Sequence, residues 1–514
     1  MKCLASPPLK TRWAIFIVLA LLAMAVRLPQ LGERPMHTDE SINAYIIGQL
    51  LAGQTFHYDS KDRHGPALAA FTLPLVKLEG ARDFAGLTES QLRLSPVLAG
   101  TATVLLFGAG VEMFGFVACF IAALLFAFAP LPVYYNRYFI HESLFVLATL
   151  GVILSGGSFV DTKSAIQAAI AGFCAALMLT CKETAPFHFL ALAVAAISCR
   201  LTYGQKKIRC RLPFKLVLAA LAVFFATIVL LFTWFGRDPG VFADLIRAVP
   251  NFAARAGGEG HEKSFWYYMR LLCDGWSGGM TCGLFVLGIF FVFFTRQGRR
   301  VCEWGVPLAE DSPPQPPYRL FLATYGVAIF AIYCAIPYKT PWLALNFWLP
   351  FSLLGGIAVE WIWFATIKPT VRALILVCAG VLGFLMAHDT RERVFVAPAD
   401  ENNPYAYAHT VDDLLGLPKR IEELSRQNNW AQPRIAVVAA DAWPLPWYLR
   451  KYTQVGFWQP GQGTGPADLF ITSPEASETM TNQLDRFRPE FFGLRPEVLI
   501  ILWTPVPPPA AKAL

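Results

Sequence analysis

The sequence predicts an α-helical polytopic membrane protein, with about eleven transmembrane helices and a small α/β domain near its C-terminal end. Three observations carry that prediction. Hydrophobic residues make up 55% of the 514 and charged residues only 15%, against roughly 25% charged in ordinary soluble domains. Apolar runs long enough to cross a bilayer recur from residue 13 to residue 387. Beyond residue 388 the pattern changes to short β-branched runs separated by polar or helical stretches.

The first run, 13–26, follows Lys2, Lys10 and Arg12. It has the outline of a signal peptide, but no small-residue cleavage site follows, so an uncleaved first helix is expected. Ten further runs are 94–113, 116–131, 143–160, 165–179, 186–198, 214–235, 271–294, 320–336, 342–364 and 371–387. The run at 186 is short for a span. Lys and Arg cluster in particular loops: Lys163; Arg200, Lys206, Lys207, Arg209, Arg211 and Lys215; Arg296, Arg299, Arg300 and Arg319 around the proline-rich "SPPQPPY"; Lys368 and Arg372. With the N-terminus cytoplasmic, all of these loops fall on the cytoplasmic face. The protein is then expected as a multi-pass protein of the cell (inner) membrane with an extracytoplasmic C-terminal domain. The net charge of +7 reports this topology rather than a nucleic-acid partner.

Residues 66–78 are apolar but too few for a span, and counting them would invert every later loop. They are expected as a helix at the outer interface, inside one long external loop, 27–93. Residues 1–388 form the transmembrane domain and 389–514 the α/β domain, whose expected strands lie in "PRIAVVAAD", "ADLFITS" and "EVLIILW". "GQGTG" at 461–465 is not a dinucleotide fingerprint, because no strand is expected to feed it and no helix to open from it. No internal repeat is visible. The eleven cysteines show no metal-ligand spacing and none follows Cys378, so no disulfide-stapled external domain is expected.

Chemistry gathers on the predicted outer face. All eight histidines fall there: His37, His57, His64, His141, His188, His261, His388 and His409. So do Asp39 and Glu40, Asp59 and Asp62, Glu142, Glu183, and Glu259 and Glu262, with Arg137, Lys182, Lys263 and Lys339 near them. Charges near hydrocarbon are costly without partners or work, so a cleft facing the outer leaflet is the candidate site. Each piece alone also has an ordinary structural account. Thr38 can cap a helix with Asp39 and Glu40 in its first turn. "CKET" at 181–184 fits a snorkelling pair, "PYKTPW" at 337–342 a turn with a belt aromatic, and "HEK" at 261–263 a solvated loop.

Taken together and in order, "HTDESINAY", "YDSKDRHGP", "YYNRYFIHES", "LTCKETAPF", "SFWYYMRLL", "YKTPWLALNFWLP" and "DAWPLPWYLR" resemble segments of the GT-C superfamily of polytopic glycosyltransferases. That superfamily includes protein O-mannosyltransferases, the aminoarabinose transferase of lipid A and oligosaccharyltransferases. Within it, the resemblance is nearest to the family described as flippase activity-associated membrane proteins. The segments run from residue 37 to about residue 450, and the acidic pair after the first helix is the superfamily hallmark.

The resemblance implies a GT-C fold, a polyprenyl-phosphate-linked sugar donor, and a glycan, lipid or protein acceptor at the outer surface of the lipid bilayer. It implies hexosyl or pentosyl transfer with Asp39 as base and Glu40 in support. The phosphate leaving group calls for preorganised cations, and Arg137, Lys182 and Lys339 are placed by topology to supply them. Direct displacement would invert the anomeric centre. His37, His64, His141, Glu142, Glu183, His261 and Glu262 are supporting, acceptor-binding or metal-binding candidates. A divalent cation stays an open question. Oligosaccharyltransferases bind one near their acidic motifs and mannosyltransferase relatives need not. His37, Asp39, His141 and Glu142 are the residues that would converge on it. The rival reading is a non-catalytic protein that binds or helps translocate a lipid-linked glycan. A secondary transporter fits less well, because no inverted repeat or pair of broken helices is visible.

Overall fold

Among the described residues, nine helices are long and apolar enough to cross a membrane: Leu9–Arg27, Glu89–Phe114, Glu142–Thr162, Ala185–Tyr203, Phe214–Phe232, Gly275–Phe294, Tyr318–Ala335, Pro341–Ala365 and Pro369–Val396. The computed structural model describes residues 7–60, 63–207, 212–256, 260–295, 317–365 and 368–506. Each of the nine helices overlaps one of the expected runs, those beginning at 214, 271 and 320 extending a few residues beyond their helices, and the protein is a multi-pass membrane protein. The short run at 186 belongs to a full-length helix, because that helix continues past Ser198 into polar residues such as Arg200 and Tyr203. The other two expected spans are the shorter apolar helices Phe116–Phe128 and Ala165–Cys181. The first stops because Ala129 precedes Pro130 and takes an extended conformation; a new helix, Pro130–Tyr135, starts at once. Ala67–Leu78 is also a short apolar helix. Asp62, Glu259, Arg209, Arg211, Arg296, Arg299, Arg300 and most of "SPPQPPY" lie outside the described residues.

Close helix contacts rest on glycine. A β-carbon on Gly288 of Gly275–Phe294 would lie 2.0 Å from the Leu354 carbonyl oxygen of the neighbouring helix. The corresponding distances are 2.2 Å from Gly172 to Ala220 O and 2.2 Å from Gly356 to Ala118 O. These backbones touch because nothing stands between them, which is how helices gain dispersion contact in lipid.

The chain divides into two compact units. One holds Met1–Pro29, Thr55–Thr72 and Arg93–Val396; the other holds Gln30–Gln54, Leu73–Leu92 and Ala397–Leu514. The second unit therefore combines the acidic segment around residue 39 with the C-terminal α/β region. Its sheet has strands β1 (Ile435–Val438), β2 (Val455–Trp458), β3 (Leu469–Thr472), β4 (Phe487–Arg495) and β5 (Val498–Pro505) in the order β2-β1-β3-β5-β4. β1 pairs in parallel with β2 and β3, while β5 runs antiparallel to β3 and β4. The three expected strands are β1, β3 and β5. β2 and β4 form the edges and are only partly buried; β2 is a four-residue run interrupted by Gly456, and β4 mixes apolar with charged residues. One expectation about "GQGTG" is corrected: β2 does lead into it. No helix opens from it, however, and the chain runs on to β3.

Candidate active site

The acidic segment starts a helix, Thr38–Leu51. Thr38 is its first residue and not its cap; His37 fills that place. The Asp39 N–H donates to His37 Nδ1 at 3.1 Å, and the His37 N–H donates to Glu40 Oε2 at 3.1 Å, a capping box with imidazole in the usual hydroxyl's role. Burial holds the His37 imidazolium below its ordinary range, against the pull of Asp39 and Glu40, so the ring is neutral. With Nδ1 accepting, Nε2 carries the proton and donates to Tyr407 O at 3.1 Å. Arg34 donates to Glu40 Oε1 at 2.9 Å, and Glu40 is 0% exposed. Both Glu40 oxygens are thus committed. The Asp39 carboxylate is partly exposed and meets no donor among the described residues. Of the two carboxylates in the motif, Asp39 is the one left for chemistry.

A second group of candidates meets in the membrane unit. Lys182, just past Ala165–Cys181, is ion-paired to Glu142, the first residue of Glu142–Thr162, and both are buried. Beside them, His64 Nδ1 lies 2.8 Å from Glu183 Oε2, and Tyr58 donates to Glu183 Oε1 at 3.2 Å. Burial alone would raise the Glu183 carboxyl; the charge and hydrogen bond of His64, with help from Lys182, outweigh it and bring it to about 2. The His141 ring lies 5.1 Å from that of His64, edge to face. Burial, then His64 and Lys182, push the His141 imidazolium well below its ordinary range. Its Nε2 therefore donates to Gly65 O, at 3.3 Å. Gly65 is the keystone, because a β-carbon there would lie 2.1 Å from Thr180 O.

Lys339 sits elsewhere in the same unit, on a two-strand bridge between 261–263 and 337–339. The Lys339 N–H donates to His261 O, the Lys263 N–H to Pro337 O, and Glu262 pairs with Tyr338. The His261 ring lies 4.9 Å from that of Tyr338. The Glu262 side chain is exposed and accepts only from the Gly260 N–H, at 3.4 Å, among the described residues. Lys339 is 1% exposed, and burial lowers its ammonium below the ordinary range. That ammonium donates to the carbonyls of Lys263 and Ile336 and meets no carboxylate among the described residues. Arg137 donates to Arg27 O and Pro29 O, both at 2.6 Å, and its guanidinium lies 4.7 Å from the Phe395 ring centroid. Arg27, buried in the first helix, holds Asn136 Oδ1 at 3.0 and 3.2 Å, which fixes the turn that presents Arg137.

Glu142, Lys182, His64, Glu183 and His141 are therefore brought together, and Asp39, Glu40 and His37 form a separate group. His261, Glu262 and Lys339 share a third element. Of the three cations, Lys182 is neutralised by a carboxylate and Lys339 is not. Among the described residues, no three His, Cys, Asp or Glu side chains gather as a metal site. Arg34 and Gly65 escaped sequence reasoning, although Arg34 opens the acidic segment and Gly65 stands between His64 and Pro66.

No protein-family model matches the sequence, and no curated protein matches it. Solved structures do match in fold. ArnT from Cupriavidus metallidurans bound to undecaprenyl phosphate is similar at a TM-score of 0.63 and 15% identity, over 96% of this chain and 98% of that one. The archaeal oligosaccharyltransferase AglB from Archaeoglobus fulgidus, in complex with an inhibitory peptide and a dolichol-phosphate, is similar at 0.55 and 12% identity, over 96% of this chain and 76% of that one. The likeness is one of fold.

Proposed function

From the premise that this chain carries the fold of the GT-C membrane glycosyltransferases, we propose that it moves a sugar from a polyprenyl-phosphate-linked donor to an acceptor at the outer face of the membrane. The observation that carries the reading is the Asp39 carboxylate, which is partly exposed, without a donor among the described residues, and set on a helix start that Arg34, His37 and Glu40 hold fixed. A fixed, uncommitted carboxylate is what a general base requires.

In the reaction, an acceptor hydroxyl or amide attacks the anomeric carbon and gives its proton to Asp39. The bond between that carbon and the phosphate oxygen breaks, and its electron pair leaves with the polyprenyl phosphate. Attack from the face opposite the leaving group inverts the centre. The departing phosphate gains charge and needs a cation already in place. Lys339 suits that role best, since its ammonium is buried without a carboxylate partner among the described residues. Lys182, already paired with Glu142, contributes mainly to the framework around that carboxylate, and Arg137 presents a guanidinium. Glu40 supports Asp39 by holding the helix start.

Asp39→Asn keeps volume and backbone while removing the base. Transfer of labelled sugar from its polyprenyl phosphate in membranes should fall by about 10²–10⁴-fold, with expression and thermal stability unchanged. Stable Asp39→Asn protein with near-normal transfer would overturn the assignment. Retained lipid binding with no transfer by the wild type would favour the non-catalytic reading.

A further inference from the structure

The last hairpin of the α/β region reaches back to the acidic segment. β4 slips against β5 near its end: Gly493 pairs with Leu499 and Arg495 with Val498. Such a bulge re-aims a side chain. Gly493 is pinned there by its N–H donating to Asp413 Oδ2 at 2.6 Å. The turn that follows puts Glu497 at φ +63, a left-handed conformation unfavourable for a residue with a β-carbon. This local geometry points the Arg495 guanidinium at two targets. One nitrogen donates to Asp441 Oδ2 at 2.6 Å and the other lies 3.5 Å from Thr38 Oγ1, next to Asp39.

Asp441 is itself oriented, because its Oδ1 accepts the Trp443 N–H at 3.1 Å. The Trp443 ring meets Tyr45, on the same helix as Asp39, at 6.1 Å between centroids. Just before that helix, Met36 is held at both backbone atoms: its N–H donates to Tyr448 Oη at 2.9 Å, and its carbonyl accepts from Thr410 Oγ1 at 2.7 Å. Segments from the C-terminal part of the chain thus add to the Arg34, His37 and Glu40 contacts that fix this helix start.

We propose that Arg495 is a positioning residue for the base, acting through Thr38 and Asp441, and that orienting Asp39 is what the C-terminal α/β region contributes to the reaction. The proposal rests on the reading of Asp39 as base. Arg495→Gln, in the full-length protein in lipid nanodiscs, removes the charged fork. Its kcat should fall about ten- to a hundred-fold, as a small displacement of a reacting group does. Donor KM should stay within about twofold, because ground-state binding is untouched. Amide exchange over residues 38–42 should quicken while the membrane helices stay as protected as before. Arg495→Lys should recover part of the loss. Asp441→Asn should reproduce it, and the double variant should be no worse than the weaker single one, since the two residues act as one unit. If Arg495→Gln is poorly folded, Asp441→Asn carries the same test. Unchanged kcat, unchanged exchange over 38–42, or a loss confined to KM overturns the proposal. Near-normal transfer by Asp39→Asn overturns instead the reading beneath it.

Discussion

Asp39 and Glu40 are neighbours with different employment, and substitution should separate them. Glu40→Ala leaves Arg34 buried without its carboxylate and removes half of the capping box, so it should cost about 3–5 kcal/mol of stability, read as a lower unfolding midpoint. Asp39→Asn should leave that midpoint where it is. Lys339→Ala should leave the fold intact and weaken use of the donor by about ten- to a hundred-fold, the worth of one charge-assisted hydrogen bond. Unchanged donor KM and kcat in that variant would move the phosphate to another cation. Acid should also matter. The buried His37 and His141 take up a proton only below the ordinary value of 6.5, while the unfolded chain takes it up near 6.5. The unfolded state then binds more protons, so stability is full above about pH 6.5 and falls as the pH drops below it. Thermal unfolding followed downward from about pH 7.5 should show this loss, and His37→Ser, which keeps a cap but cannot titrate, should reduce its slope. Glu183 acts lower: its depressed carboxyl adds stability that is lost only as the pH falls from its ordinary 4.5 through about 2. At this scale the sequence displayed the acidic pair and the lysines. It hid which carboxylate was committed, because the commitment of Glu40 depends on where the fold places Arg34.

Among the elements, length and apolarity read well from sequence and edges read poorly. The membrane helices declare themselves because every residue facing lipid must be apolar, whatever the tertiary structure. β1 and β3 are buried along their whole length and read as continuous apolar runs. β4 takes its regularity from β5 and carries mixed residues such as Arg488 and Glu490, while β2 is only four residues long with Gly456 inside it, so little local announces either. Helix contacts were equally silent, since a glycine in a span looks the same whether or not a neighbour's backbone touches it. Two substitutions distinguish these cases. Gly288→Ala sets a methyl 2.0 Å from the Leu354 carbonyl and should destabilise by about 1–3 kcal/mol, the usual cost of overpacking. Gly380→Ala, with nothing within 4 Å, should leave the unfolding midpoint unchanged or slightly higher. Equal effects from the two would mean that the Gly275–Phe294 contact is not tight in the membrane.

Across the whole molecule, topology is constrained by which helix ends meet. Arg12, at the start of Leu9–Arg27, contacts Glu112, at the end of Glu89–Phe114, at 2.5 Å. Arg319, starting Tyr318–Ala335, meets Glu360, near the end of Pro341–Ala365, at 2.6 Å. The first contact requires those two ends to lie on one side, which supports Ala67–Leu78 as a helix that does not cross. With the basic loops assigned to the cytoplasm, reporters fused after Leu78 and after Leu514 should both register the outer side. A cytoplasmic signal from either would overturn the loop assignment.

The union of residues 30–54 and 397–514 in one compact unit also bears on how the protein is made. Thr38 and Arg495 are 457 residues apart in sequence. At about 5–20 residues per second, a ribosome needs on the order of half a minute to a minute and a half to travel between them. Asp39 emerges early, yet its helix start gains its last partners only when the final hairpin emerges. On the proposed mechanism, a nascent chain can already be threaded into the membrane while its donor-consuming chemistry still runs about ten- to a hundred-fold slower. On that reading, translation itself acts as the timer that holds activity down until Arg495 has emerged.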